Sequence, residues 1–226
     1  MGFFRGPKIV TDGLVLHLDA ANTKSYPGSG TTWFDKSGNR NNGTLTNGPT
    51  FSSTNGGSIV FDESNDYASL PNLSLNYPFN ISFWAKEVTG NTSGPHITFS
   101  DPTQVGKSIF IGLIVNGAGT MRMAYYDGSF SSTTTPASLN TIYHISGNFT
   151  STGFDLYANG VFKSTLAGAK NKVWTDTSTS YNVCLLNRVG IGYYGGSVYQ
   201  VTMHNRALSA TEILQNYNAT KSRYNL

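Results

Sequence analysis

The carboxylates are the first residues to test for chemistry. Glycoside hydrolysis usually takes two of them, about 5 to 10 Å apart, sharing the acid, base and nucleophile roles. The chain has only three glutamates, Glu63, Glu87 and Glu212. Glu212 follows Ser209 at the spacing of a capping box, so its carboxylate is engaged at a helix start. Glu63 and Glu87 fall in or beside loops. Asp62 and Asp66 flank Ser64 and Asn65, which read as a turn. No two carboxylates are placed to flank a glycosidic bond, and the chain is expected not to be an enzyme.

Other catalytic patterns fail on context. Gly190 to Gly195 (GIGYYG) matches the spacing of a dinucleotide fingerprint, but that fingerprint must open a helix, and here a strand follows. Gly106, Lys107 and Ser108 end like a phosphate loop, but Asp101 stands where the first glycine belongs. No nucleophile-elbow motif occurs. The four histidines, His17, His96, His144 and His204, lack zinc-ligand spacing. His17 and Asp19 share a strand face, yet two ligands are too few, so no metal residues are assigned.

Binding chemistry remains. Flat aromatic faces stack on uncharged sugars, and amides, hydroxyls and carboxylates orient sugar hydroxyls. Trp84, Tyr125, Tyr126, Asp127, Tyr193 and Tyr194 are the candidates for such a site, with Trp174 as a further stacking face. Tyr125 and Tyr126 are adjacent, so a strand would point them to opposite sides.

The elements that must position these residues are strands. Leu14, Leu16 and Leu18 alternate with Val15, His17 and Asp19. Ala20 to Asn47 is a long polar segment. Ser58 to Phe61 and Tyr67 to Leu70 are strands. In Phe79 to Lys86, residues Ile81, Phe83 and Ala85 face one way and Ser82, Trp84 and Lys86 the other. Ile97 to Ser100, Ser108 to Val115, Met121 to Tyr126, Thr141 to Phe149, Gly153 to Ala158 and Val161 to Ser164 follow, punctuated by Asn116-Gly117, Asp127-Gly128 and Asn159-Gly160 turns. Leu185 to Ile191 leads into a closing strand, Ser197 to His204. Its alternation puts Tyr199, Val201 and Met203 on one face and Val198, Gln200, Thr202 and His204 on the other. Ser209 to Glu212 then caps a short helix with Ile213, Leu214 and Tyr217 as its apolar stripe. Regular turn signals with antiparallel hairpins predict an all-β fold: a two-sheet antiparallel β-sandwich of jelly-roll type with one short C-terminal helix. Residues 1–12 read as an N-terminal arm and 13–226 as the domain.

Composition agrees. The chain has 226 residues, 38% of them hydrophobic and 13% aromatic, enough for one substantial core. Only 12% are charged, and the net charge of +3 is scattered, so no nucleic acid partner is expected. A single cysteine, Cys184, sits among apolar neighbours and reads as a buried thiol. No apolar run reaches the roughly 18 residues of a membrane span. Met1 to Lys8 lacks a signal-peptide core, so folding is expected in the compartment of synthesis.

Particular stretches carry a resemblance. Gly196 to Leu214 (GSVYQVTMHNRALSATEIL) resembles the closing segment of laminin-G-like domains in the concanavalin A-like lectin/glucanase superfamily. Gly13 to Asp19 (GLVLHLD), Trp33 to Thr44 (WFDKSGNRNNGT), Gly57 to Tyr67 (GSIVFDESNDY) and Tyr157 to Gly160 (YANG) resemble other parts of that family. The resemblance runs from Gly13 to Tyr217. Tyr26 to Asn39 (YPGSGTTWFDKSGN) and Gln215 to Tyr224 (QNYNATKSRY) look most like versions found in bacteriophage virion proteins.

The resemblance implies a concanavalin A-like sandwich in which Trp33 plugs the rim and Asp35 holds the Ser37-Gly38-Asn39 turn. The glucanase branch carries a Glu-x-Asp-x-Glu strand that this chain lacks. The resemblance implies no obligatory cofactor. Many such domains bind calcium through loop oxygens, and Asp101, Asp127 and the Asn91 loop would be the source here. The function implied is that of a non-catalytic structural or adhesion protein of a phage: a head decoration, head fibre or tail-associated protein displaying a lectin-like domain. Its localisation would be the virion, after synthesis in the host cytoplasm. Its partners would be surface glycans and other virion proteins or copies of itself, with Phe3, Phe4 and Arg5 as a docking arm. The alternatives are a free lectin of cellular origin and, third, a glucanase relative.

Overall fold

The computed structural model describes residues 7–71, 73, 76–88, 97–100, 107–112, 120–127, 130–167, 182–185, 187–188 and 192–226. Every strand pairing among them is antiparallel. The first sheet runs Val161–Ala167, Gly153–Ala158, Tyr143–Thr150, Phe79–Glu87, Gly195–His204, Ser58–Asp62, Thr50–Ser52. The second runs Phe130–Pro136, Thr120–Asp127, Lys107–Gly112, Ile97–Ser100, Asn182–Leu185, Tyr67–Ser69, Gly43–Thr46, Thr32–Trp33. Asn187–Arg188 and Gly192–Tyr193 form a separate ribbon. This is the antiparallel sandwich that the alternation predicts.

The closing strand, Gly195–His204, organises the first sheet. Phe79–Glu87 borders one of its edges. Its other edge is shared: Ser58–Asp62 pairs with its first half, and the opening strand, Leu14–Asp19, pairs with residues 200–204. A bulge lies at the changeover. Val198 pairs with Ala85 and Gln200 with Trp84, so Tyr199 is the extra residue.

A bulge of this kind reverses alternation beyond it. Val198, Val201 and Met203 therefore join the inter-sheet core, whereas Tyr199 packs on the outer face with Trp84 and Tyr224. The simple alternating pattern misplaces both Val198 and Tyr199.

The core between the sheets takes Leu16, Leu18, Ile59, Ile81, Phe83, Met121, Met123 and Phe149, all at most 2% exposed. Each such side chain contributes roughly 1.5 to 3 kcal/mol by leaving water. Trp33 is fully buried and packs in the main core cluster. Ala20 to Asn47 is not all loop, because Thr32–Trp33 and Gly43–Thr46 add short strands to the second sheet. Phe130–Pro136 is a strand that alternation does not reveal, since its centre is a run of serine and threonine.

Helix α1, Ala210–Thr220, docks on the outer face of the first sheet and is followed by a 3₁₀ turn, Lys221–Tyr224. Its N-cap is the predicted capping box: the Glu212 amide donates to Ser209 Oγ at 3.3 Å, and the Ser209 amide donates to Glu212 Oε2 at 2.8 Å. The preceding turn is held by Asn148, which donates to the Leu208 carbonyl and accepts from the Leu208 amide. The buried side of α1 is Ile213, Asn216 and Thr220. Leu214 is 43% exposed, at the flank facing the Asn159-Gly160 turn, so the apolar stripe is narrower than predicted. That turn has positive φ at both residues, 52° and 78°, as the two-residue hairpin signal requires. A Cβ on Gly160 would also lie 2.9 Å from Leu214.

Candidate functional site

On the outer face of the first sheet, beside α1, lies a cleft of about 410 Å³. Five parts of the chain build it: Pro7, Lys8, Ile9 and Thr11 of the arm, the opening strand, the closing strand, Lys36 and Ser37, and the C-terminal Ala219, Thr220 and Arg223.

Each wall is fixed by hydrogen bonds. The arm is stitched to α1 and the closing strand. The Val10 amide donates to Asn216 Oδ1 at 2.7 Å, Gln215 Nε2 donates to the Lys8 carbonyl at 2.8 Å, and His204 Nε2 lies 3.0 Å from the Val10 carbonyl. The Lys36 loop is fixed by Asp35. Its carboxylate accepts from the amides of His17, Ser37 and Asn41, at 2.9, 2.8 and 3.0 Å, and from the Ser37 hydroxyl at 2.7 Å. Asp35 thus holds the turn that the resemblance assigned to it. The Lys36 amide donates to the His17 carbonyl, which sets the loop against the opening strand.

The floor is polar. Gln200 Nε2 lies 2.9 Å from His17 Nε2. Burial lowers the His17 pKa, offset in part by Asp19, so the imidazole is neutral and Nε2 accepts from the amide. Asp19 is 2% exposed, and both its oxygens accept from Arg223 Nη1 at 2.9 Å. A buried carboxylate requires such a partner. Thr220 Oγ1 accepts from Trp84 Nε1 at 2.8 Å, which fixes the end of the helix. The arrangement offers amide, imidazole, carboxylate and guanidinium groups to a hydroxyl-rich ligand. It does not offer two free carboxylates: Asp19 is bound to Arg223, and Asp35 is turned into its own loop. Among the described residues no cluster of three His, Cys, Asp or Glu could hold a metal ion.

The aromatic site read from sequence is not assembled here. Trp84 is 1% exposed, covered by Tyr217 at 5.5 Å, Tyr224 at 4.4 Å and the imidazole of His144. Tyr194 is also 1% exposed and meets Phe61 edge-on. Neither ring can stack on a sugar from solvent. Alternation gives Trp84 its correct side of the sheet, but that side is roofed by α1. Tyr193 is half-buried on its short ribbon. Tyr125, Tyr126 and Asp127 end the strand Thr120–Asp127, in the other sheet from the cleft. Phe3, Phe4 and Arg5 lie outside the described residues, as do Asn91, Asp101 and Trp174.

No sequence motif marks Lys36, Gln200 and Arg223 as cleft residues. The one available signal is Asp19, an acid whose immediate neighbours, Leu18 and Ala20, are apolar, so that its burial requires a distant cation.

The remaining polar groups of the outer face serve structure. His144 is fully buried, and burial pushes its pKa down to about 3. Glu212 is held down to about 2, first by Arg206, which reaches it through Nη1 and Nη2 at 3.1 and 2.6 Å, and then by the Ser209 amide. Glu87, predicted beside a loop, ends the strand Phe79–Glu87 and is 2% exposed. Asp62 accepts from the amides of Ser64 and Asn65, in the turn expected between Asp62 and Asp66.

Residues 62–214 match the model of a laminin-G-like family described as the concanavalin A-like lectin/glucanases superfamily. No curated protein matches the sequence. Among solved structures, domain 4 of an extracellular arabinanase from Geobacillus stearothermophilus, in complex with arabinotriose, superposes with a TM-score of 0.74 at 16% identity, over 90% of this chain and 98% of that one. A Trypanosoma rangeli sialidase mutant displaying trans-sialidase activity gives 0.69 at 17% identity, over 96% of this chain but 35% of its own. The binding domain of botulinum neurotoxin DC, in complex with rat synaptotagmin II, gives 0.69 at 13% identity, over 93% and 52%. At these identities the likeness is one of fold.

Proposed function

The chain belongs to the concanavalin A-like lectin/glucanase superfamily, and from that premise we propose that it is a non-catalytic carbohydrate-binding domain whose ligand occupies the cleft beside α1. One observation carries this reading: polar side chains from five separate parts of the chain converge on a cleft of about 410 Å³. That volume is within the size range of ligand sites. Gln200, His17 and Arg223 supply donors and acceptors for sugar hydroxyls, and the arm, the loop and the helix end hold them in place. The arabinanase domain, of nearly the same length as this chain, was crystallised with arabinotriose, which supports a sugar ligand on this fold. Non-catalysis is supported by the state of the acids in the cleft, where the single lining carboxylate is already bound by Arg223.

The setting in this reading is the bacteriophage particle, with the domain as a decoration, fibre or tail-associated adhesin. Support comes from where the phage-like segments lie. Tyr26 to Asn39 contributes Lys36 and Ser37 to the cleft, and Gln215 to Tyr224 contributes Ala219, Thr220 and Arg223. The two segments that look most like virion proteins thus meet at one site. A glycan array with the purified chain tests binding, and mass spectrometry of purified particles tests the setting. Retention on glycans and presence in particles are the expected results. A chain that hydrolyses the glycans it binds would overturn the non-catalytic reading.

A further inference from the structure

The charges around the cleft are unbalanced. Lys8, Lys36 and Arg223 line it, against the single carboxylate of Asp19. Asp35 stands close by, but its oxygens accept four hydrogen bonds from its own loop and the opening strand. His17 is neutral. Lys8 and Lys36 are exposed, and among the described residues neither has an ion-pair partner. The lining therefore carries a net charge of about +2, from three cations and one carboxylate. In a concave site a single sign of charge focuses the field. In a chain with only 12% charged residues, three cations from three distant segments at one cleft is a concentration of charge.

A neutral sugar needs none of these cations. From this we infer that the bound glycan is acidic, carrying one negative charge per bound sugar unit, as a uronic or sialic acid carboxylate or a phosphodiester-linked sugar does. The inference rests on the cleft being the carbohydrate site. Lys36 and Arg223 hold the acid group, while Gln200 and His17 take the ring hydroxyls. Asp19 sets the upper limit on charge, because a dianion such as a phosphate monoester would be repelled by a carboxylate that cannot move away. Asp19 also confines Arg223 to a single position by occupying Nη1, which lowers the ordering cost of binding.

The test is a glycan array carrying neutral, carboxylated and phosphodiester-bearing glycans, probed with the full chain, Lys36→Glu and Gln200→Ala. Thermal melting confirms that each variant folds. The expected hits are acidic glycans of one or both kinds, which also separates the two sources of charge. Chemical reduction of the carboxyl group should abolish carboxylated hits. Lys36→Glu should abolish binding, Gln200→Ala should weaken it about tenfold, and raising salt should weaken it progressively, because exposed charges are screened. Neutral glycans bound as tightly as acidic ones, lost in Gln200→Ala and retained in Lys36→Glu, would overturn the charge inference and leave the cleft as the site. Acidic glycans bound equally by all three proteins would place the site elsewhere and overturn both readings, as would an array with no binding at all.

Discussion

Arg223 donates through Nη1 to both carboxylate oxygens of Asp19, at 2.9 Å each, across 204 residues of sequence. The contact joins the first strand of the domain to its last turn and forms one side of the cleft. Asp19 is 3% exposed at its side chain and Arg223 36%, so the pair is buried on the acid side only.

That asymmetry fixes the outcome of substitution. Arg223→Ala leaves a buried carboxylate without its cation and should cost about 3 kcal/mol. Asp19→Asn leaves Arg223 able to reach water and should cost less. Urea denaturation of both single variants and the double variant would check this, with the double variant less destabilised than the sum of the singles.

Trp84 is expected to act as a core residue. Its Nε1 donates to Thr220 Oγ1. Trp84→Phe removes that bond and leaves a buried acceptor, at a cost of about 1 to 2 kcal/mol. Trp84→Ala should cost about 3 to 5 kcal/mol. Because the ring is shut off from solvent by Tyr217 and Tyr224, Trp84→Phe should weaken glycan binding only through the Thr220 end of the helix, and by less than Gln200→Ala does, in titration calorimetry.

The cap of α1 is a separable unit. Glu212→Ala loses the Ser209 amide and both Arg206 contacts. That loss should cost roughly 1 to 2 kcal/mol, against about 1 kcal/mol for Ser209→Ala. Since α1 carries one wall of the cleft, Glu212→Ala should also weaken ligand binding, readable by calorimetry alongside the melting temperature.

Stability should fall in acid. His144 has its folded pKa lowered to about 3 from 6.5, so the unfolded chain binds a proton first. Its contribution is fully present above pH 6.5 and is lost as pH falls toward 3. The slope is about 1.4 kcal/mol per pH unit. His17 and His204, also lowered by burial, act in the same direction. Glu212, lowered to about 2, adds a second loss between its unfolded value of 4.5 and pH 2. Urea denaturation at about pH 6.5 and about pH 5 should show wild type losing about 2 kcal/mol more than His144→Leu.

The fold is legible where the signal is local. Ser209 and Glu212 are three residues apart, and their reciprocal bonds depend on nothing distant. The Asn159-Gly160 turn is likewise set by two residues. Ile81 and Phe83 alternate with Ser82 and Trp84 because both faces of that strand are covered regularly. Legibility fails where tertiary structure intervenes. The bulge at Tyr199 falls where the other edge of the closing strand changes partner, and no residue type announces that change. Trp84 looks free to stack because alternation gives a side and not what roofs it. The cleft is largely illegible. Arg223, Gln200 and Lys36 are far apart in sequence, and only Asp19, an acid between the apolar Leu18 and Ala20 with no cation nearby in sequence, points toward it. Phe130–Pro136 hides for a different reason. Its threonines favour strands, but an edge strand with polar residues on successive positions has no hydrophobic period.

The seat of the sugar decides between the cleft and the other sheet. Determining the structure of the full chain with the tightest-binding glycan from the array would decide it. The expected result is a sugar ring between Gln200 and Arg223, with its acid group toward Lys36. A ring seated instead against the Thr120–Asp127 strand of the other sheet, with the cleft beside α1 unchanged, would contradict it.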